Sequence, residues 1–220
     1  MITVISRPHH ELSPDLHDNL GRYRHKVFIK HLGWQLETSG ALPGREFDQF
    51  DHNDTRYIIA LDPQQHVHGC ARLLPTTEPY LLSEEFAFLC DRPAPRRNDA
   101  WEISRFAASA LEQGKLPMRV FWHSLNTAWE LGANEVVAVT TPALERYFLR
   151  NGVLLRRLGQ PQRVNQEQVI ALSFAAYQKN GRAALLAQSA AVTSLNQAFI
   201  RNGPARSFRT EPLRTQAVSE

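Results

Sequence analysis

An α/β fold, with helices on both sides of a mixed central sheet, is what this sequence predicts. Three observations predict it. Strand-like and helical segments alternate along the chain, with three strand-like segments in succession in the middle. EVVAVT (135–140) is a short, nearly continuous apolar run, the pattern of a strand buried on both faces. The 220 residues, 43% of them apolar, suffice for one sizeable core and are short for two.

The elements follow in order. ITVIS (2–6) alternates weakly and reads as a first strand. Ser13-Pro14 is a helix start, with Ser as N-cap and Pro at the first helical position. Leu12, Leu16, Leu20, Tyr23 and Val27 then form one apolar stripe, and the helix is expected to run to about Lys30, before Gly33. Residues 35–54 lack periodicity and read as a long loop, which in a compact domain is usually functional or mobile. TRYIIALD (55–62) and VHGCARLLPT (67–76) read as two strands joined through Pro63. A short helix is expected around 84–89, and AWEISRFAAS (100–109) is strand-like. Leu116–Glu130 is helical, with Pro117 early and Gly132 just past the end. Thr141-Pro142 starts another helix that stops at Asn151-Gly152, and LLRRLG and QVIALSFAA suggest two late strands. Residues 1–180 are thus expected to form one domain. A short helix is expected at AALLAQSAAV, and the extension 181–220 is expected to be partly disordered, because its end is polar and rich in Gly and Pro without periodicity.

Several function classes are excluded at this stage. No apolar run approaches the roughly 18 residues of a membrane helix. The N-terminal stretch has no basic segment followed by an apolar one, so no secretory signal is expected and a cytoplasmic protein is. Cys70 and Cys90 cannot build a disulfide framework or a four-thiolate zinc site, and the nine His show no ligand-like helix pair, so no metal is expected.

Chemistry concentrates in four segments. They are YRHKVFIKHLGW with Arg24, Phe28 and Trp34; REFDQFD with Asp48 and Asp51; GCARLLPTTEPY with Arg72; and WEISRF with Glu102 and Arg105. Charges inside strands are costly unless paired. Three cations (Arg24, Arg72, Arg105) and three carboxylates (Asp48, Asp51, Glu102) can lie together as a buried network. On residue types alone, that network either pins the long loop to the sheet or performs catalysis.

These four segments, in this order and spacing, resemble the acyl-homoserine lactone synthases, the autoinducer synthases of bacterial quorum sensing. The resemblance rests on Arg–x3–Phe–x5–Trp, Asp–x2–Asp, the Arg-Leu-Leu-Pro-Thr strand and Glu–x2–Arg, with Phe86 fitting an aromatic position after the third segment, and it covers roughly residues 20–160. It implies the three-layer α/β/α sandwich of the N-acetyltransferases. It also implies a reaction between S-adenosylmethionine, as substrate and not cofactor, and an acyl group on acyl carrier protein. The amine attacks the acyl thioester; the methionine carboxylate then closes the lactone on its own γ-carbon and expels 5′-methylthioadenosine.

Within that reaction Glu102 is expected to act as the base, directly or through a water. Arg24 or Arg105 is expected to clamp the carboxylate, and Phe28 or Trp34 to face the sulfonium or the adenine. Asp48 and Asp51 are expected to orient Arg24, Arg72 and Arg105. Glu102 and Arg105 stand three apart and would face opposite ways in a regular strand, so a bulge or break is predicted near Ile103–Arg105. An acyl tunnel is expected among Ile103, Phe106, Met118, Trp122, Leu125, Val139 and Phe148, each equally suited to a core. Thr141 is the natural N-cap, which leaves Thr140 to face the acyl group.

The charge is uneven. Residues 1–143 carry 14 basic against 18 acidic side chains, a net of −4, whereas residues 144–179 carry six against two, a net of +4. Arg146, Arg150, Arg156 and Arg157 are therefore expected to dock the acidic carrier. A coenzyme-A-dependent N-acetyltransferase is the alternative; its pyrophosphate-cradling Gly-rich loop is not found after any strand. No nucleic-acid partner is expected, because no reader motif is present and the −4 region would be repelled by phosphate.

Overall fold

The computed structural model describes residues 1–34 and 42–176. The expected extension 181–220, its helix at AALLAQSAAV and part of the loop at 35–54 lie outside the described residues. An eight-stranded mixed sheet runs through the molecule. Its strands are β1 (Thr3–Pro8), β2 (Arg56–Leu61), β3 (Val67–Pro75), β4 (Ala100–Ala108), β5 (Glu135–Thr140), β6 (Leu155–Arg157), β7 (Gln162–Val164) and β8 (Glu167–Ala175). The order across the sheet is β1-β2-β3-β4-β5-β8-β6, with β7 paired to β8; all neighbours are antiparallel except β4 and β5. The three-residue β7 is the strand the sequence does not announce, being too short for a period of two to register.

Alternation along the strands sorts the side chains into two layers. Ile58, Ala71, Leu73, Ile103, Val136, Ala138, Ile170, Leu172 and Phe174 face α3 (Leu116–Glu130) and α4 (Pro142–Arg150), whose Phe121, Leu125 and Phe148 close that side. The opposite face is covered in two separate pieces. Helix α1 (Pro14–Arg24) lays Leu20, with Phe28 beyond it, on Tyr57, Ile59 and Cys70. The short α2 (Leu81–Glu84) and a 3-10 turn at Ala87–Leu89 lay Leu82 and Leu89 on Val137 and Ala171. Two apolar patches thus flank a polar strip on β3 and β4, which holds Arg72, Glu102, Ser104 and Arg105.

The helix starts are as the caps dictate. Ser13 accepts from the Leu16 N–H, and Thr141 accepts from the Leu144 N–H. The first helix does not stay α-helical to Lys30. From His25 to His31 it widens into a π-helix, with Leu32 N–H bonded to Val27 O at 3.0 Å, and it ends at Gly33 with φ +67°.

Candidate active site

Arg24 closes α1, Arg72 is central in β3, and Arg105 lies in β4; all three are almost wholly buried. Each reaches the segment 46–51 that crosses the polar strip. Arg24 is bidentate to Glu46 (Nε to Oε2 at 2.6 Å, Nη2 to Oε1 at 3.1 Å) and bidentate to Asp51 (2.7 and 2.9 Å). Arg72 donates to Asp48 and lies 3.1 Å from Asp51 Oδ2. Arg105 donates through Nε to Glu46 at 3.0 Å and through Nη2 to Asp48. Burial by itself would raise the Asp51 carboxyl, but the Arg24 and Arg72 charges outweigh it and hold Asp51 well below the carboxylate range. Tyr57 Oη donates to Asp51 at 2.7 Å, and Ser104 Oγ accepts from Arg72 Nε at 3.0 Å.

One member of the expected network is different. Glu102 is fully buried on the same strip, yet no arginine bonds to it among the described residues. Its oxygens accept instead from the backbone N–H groups of Leu82 (2.7 Å) and Leu81 (3.1 Å), the first residues of α2. The third carboxylate of the arginine network is Glu46, which sequence reasoning missed. With the charges of three arginines already balanced by Glu46, Asp48 and Asp51, Glu102 is a surplus acid and fully buried. Burial pushes it up to about 7, against the opposing pull of the two N–H donors, Arg72 and Arg105.

The predicted irregularity is present. Arg72 pairs with Ser104 and Cys70 with Ala107, so Arg105 and Phe106 together oppose the single residue Ala71. Arg105 takes φ +49°, the left-handed region that a side chain enters at a cost of about 1–3 kcal/mol. The extra residue turns Arg105 onto the face of Glu102, while Phe106 returns to the α3 face against Phe121 and Phe148. Directly beside this bulge, β4 and β5 pair over only three residues, ending at Glu102 opposite Val137, although both strands continue past that point.

The aromatic residues divide. Phe28 is buried, and Trp34, 39% exposed, stacks on it with ring centres 4.9 Å apart. The Arg105 guanidinium lies 5.8 Å from the Phe28 ring and 5.9 Å from Trp34. The face of Phe28 is therefore already taken, and Trp34 is the ring left with open surface. Phe86 packs with the α2 patch. Phe106, Met118, Trp122, Leu125 and Phe148 all belong to the α3 layer, whereas Val139 packs on the α2 side. Thr140 ends β5, pairs with Ile170 and is part-exposed.

The four expected docking arginines are all exposed but not equivalent. Arg157 is bidentate to the buried Glu145 (2.6 and 2.7 Å), and Arg156 bonds Glu135 at 2.6 Å. Arg146 and Arg150 stand on the outer face of α4 beside Leu149, which is 52% exposed. Among the described residues no group of three His, Cys, Asp or Glu side chains can hold a metal ion.

Known proteins are similar to this chain in sequence and fold. The family model for autoinducer synthases matches residues 9–184. The acyl-homoserine-lactone synthase of Pseudomonas aeruginosa (strain PAO1) is 53% identical over 186 residues, covering 84% of this chain and 92% of the relative. Among solved structures, TofI in a ternary complex with an inhibitor and MTA is 36% identical with a TM-score of 0.71, covering 84% of this chain and 96% of that one. BjaI, a CoA-dependent acyl-homoserine lactone synthase with SAM and isopentyl-CoA, is 28% identical with a TM-score of 0.72 (86% and 88%). An acyl-CoA N-acyltransferase from Pseudomonas aeruginosa, at 17% identity and a TM-score of 0.58 (80% and 100%), shares the fold alone. The three-layer α/β/α sandwich is thus that of the acyltransferases, and the chain belongs to the autoinducer synthase family as an acyl-homoserine-lactone synthase.

Proposed function

We propose that this enzyme makes its N-acyl-homoserine lactone from S-adenosylmethionine and an acyl group carried on acyl carrier protein. The observation that carries the reading is the surplus Glu102, able to accept a proton near neutral pH, on the same strip as an arginine cluster whose charges Glu46, Asp48 and Asp51 balance. Glu102 takes a proton from the substrate ammonium. The freed amine attacks the thioester carbonyl; the amide C–N bond forms and the carrier thiol leaves. The methionine carboxylate oxygen then attacks the γ-carbon, the C–S bond breaks, and its electron pair leaves on sulfur as neutral methylthioadenosine.

Arg24 and Arg105 position the carboxylate end, held in place by Asp48, Asp51 and Arg72, and Trp34 with Phe28 beneath it flanks the sulfonium or adenine. The acyl chain passes where β4 and β5 cease to pair, toward Phe106 and Thr140. Arg146 and Arg150 receive the acidic carrier, with Arg156 and Arg157 at the rim. The substrates and the carrier place the reaction in the cytoplasm, and no described helix is long and apolar enough to cross a membrane.

The test is incubation with S-adenosylmethionine and matched panels of acyl-carrier and acyl-CoA donors, reading lactone and methylthioadenosine by mass spectrometry. Lactone from carrier donors at much higher kcat/KM supports the reading. Turnover with CoA donors alone, as the name of BjaI states for that relative, would replace the carrier. No methylthioadenosine from either panel would overturn the reading.

A further inference from the structure

A histidine outside the four reaction segments is wired to Arg24 from the surface. His9 opens the 3-10 turn His9–Glu11 between β1 and α1, and its backbone N–H bonds Thr55 O at 2.8 Å, which pins the turn to the start of β2. Its imidazole is part-exposed, and Nδ1 lies 3.3 Å from Tyr57 Oη. The phenol has one proton and gives it to Asp51 Oδ1 at 2.7 Å. Burial, with the Asp51 charge beside it, raises Tyr57 well above the ordinary tyrosine value, so that proton stays on the phenol. Tyr57 Oη can therefore only accept from His9, and His9 Nδ1 carries the hydrogen between them. One chain of donors thus runs inward, from His9 to Tyr57 and from Tyr57 to Asp51, which also accepts two bonds from Arg24 (2.7 and 2.9 Å).

The surroundings of His9 resist a second charge. His17 of α1 meets it edge-on with ring centres 5.2 Å apart and is itself stacked on Phe47 at 4.2 Å. His10 stands on the same turn, and Asp51 and His52 face His9 from the loop before β2. Around His17 stand Asp18 on its own helix, Arg24 and Asp51, and Asp18 is taken by Arg22 and Arg45 at 2.6 Å each. Burial holds the His9 imidazole below its ordinary value, against the pull of Asp51, and His52 and His10 add to the depression. An imidazole swung out into water thus binds a proton more tightly than the docked one, so docking weakens as pH falls below about 6.5. The backbone bond to Thr55 lets the ring leave while the turn stays in place.

We propose that His9 is a positioning residue for S-adenosylmethionine: docked and neutral, it orients Tyr57 and, through it, the Asp51 carboxylate that holds Arg24, and taking a proton releases this hold. The inference rests on Arg24 as the clamp of the substrate carboxylate, and the test separates the two.

Kd of S-adenosylmethionine is measured by calorimetry between pH 8 and pH 5.5 on the full chain as wild type, His9→Asn, His9→Leu and Tyr57→Phe, with His9 followed by NMR in 13C-histidine-labelled protein. Glu102 and the substrate amine titrate in every variant, so the difference from wild type isolates His9. His9→Asn presents an amide donor near the Nδ1 position and does not titrate. It is expected to bind as wild type at pH 8 and to lack a severalfold weakening that wild type shows at pH 5.5. His9→Leu has no donor and is expected to bind severalfold more weakly already at pH 8. Tyr57→Phe breaks the chain and is expected to lose the extra weakening while His9 still titrates; should it fail to fold, the two His9 variants decide. A wild-type Kd that follows His9→Asn at every pH, a His9→Leu protein that binds as wild type at pH 8, or a Tyr57→Phe protein that keeps the extra weakening would each overturn the inference. Binding as expected in a protein that forms no lactone would sink the functional reading and leave this one standing.

Discussion

A carboxylate near Arg72 and Arg105 ought to ionise easily, and Glu102 does not, because its complete burial outweighs the pull of those two charges and of the two backbone N–H donors. Its midpoint of about 7 lies above the ordinary glutamate value of 4.5, so between those values the folded protein binds more protons than the unfolded chain. Stability therefore falls as pH rises through that window and is lowest above 7. Glu102→Gln is expected to flatten the dependence of Tm on pH between 5 and 8 and to raise Tm at pH 8, while lowering kcat by about 10²–10⁴-fold. A Tm–pH curve parallel to wild type would contradict the assignment of the proton. The sequence led to Glu102 through its motif and through the cost of a charge in a strand. Its partners were not legible, because α2 is four residues long and leaves no periodic trace.

At the scale of elements, most of the architecture was legible. The apolar stripes of α1 and α3, the Ser-Pro and Thr-Pro starts and the apolar run of β5 are all local signals, and each element begins where they put it, although α1 gives way to the π-helix at His25. The expected helix at 84–89 is instead α2 followed by a 3-10 turn, and Glu46 went unnoticed, since both depend on contacts distant in sequence. Gly21 shows how close those contacts are. A Cβ there would sit 2.5 Å from the Phe47 ring, next to the point where Glu46 bonds the helix backbone. Gly21→Ala is expected to push the 45–51 segment outward, costing about 1–3 kcal/mol in urea unfolding, and to raise KM for S-adenosylmethionine more than KM for the acyl donor. Equal effects on both constants would count against a local role for this contact.

For the whole molecule, charge distribution is what supports the proposed docking of an acidic acyl carrier. The net of +4 over residues 144–179 is less available than its count suggests, because Arg156 and Arg157 are engaged by Glu135 and Glu145. Arg146→Glu/Arg150→Glu is expected to raise KM for the acyl carrier about tenfold at low salt, with the difference shrinking as ionic strength rises, and to leave Tm nearly unchanged. Arg157→Glu is expected to lower Tm, because it leaves the buried Glu145 without its cation. If both replacements changed KM alike with no loss of Tm, the division between docking and structural arginines would fail.

The β4 bulge has one more consequence. Read without Arg105, the strand is regular: Trp101, Ile103, Phe106 and Ala108 face α3, and Glu102, Ser104 and Ala107 face the other way, in unbroken register with β3. Arg105 is thus an extra residue in an otherwise regular strand, and the role proposed for it depends on the bulge and not on the strand register on either side. A chain lacking residue 105 is expected to keep its circular dichroism, to unfold at a lower Tm because the buried Glu46 and Asp48 lose a cation, and to form no lactone.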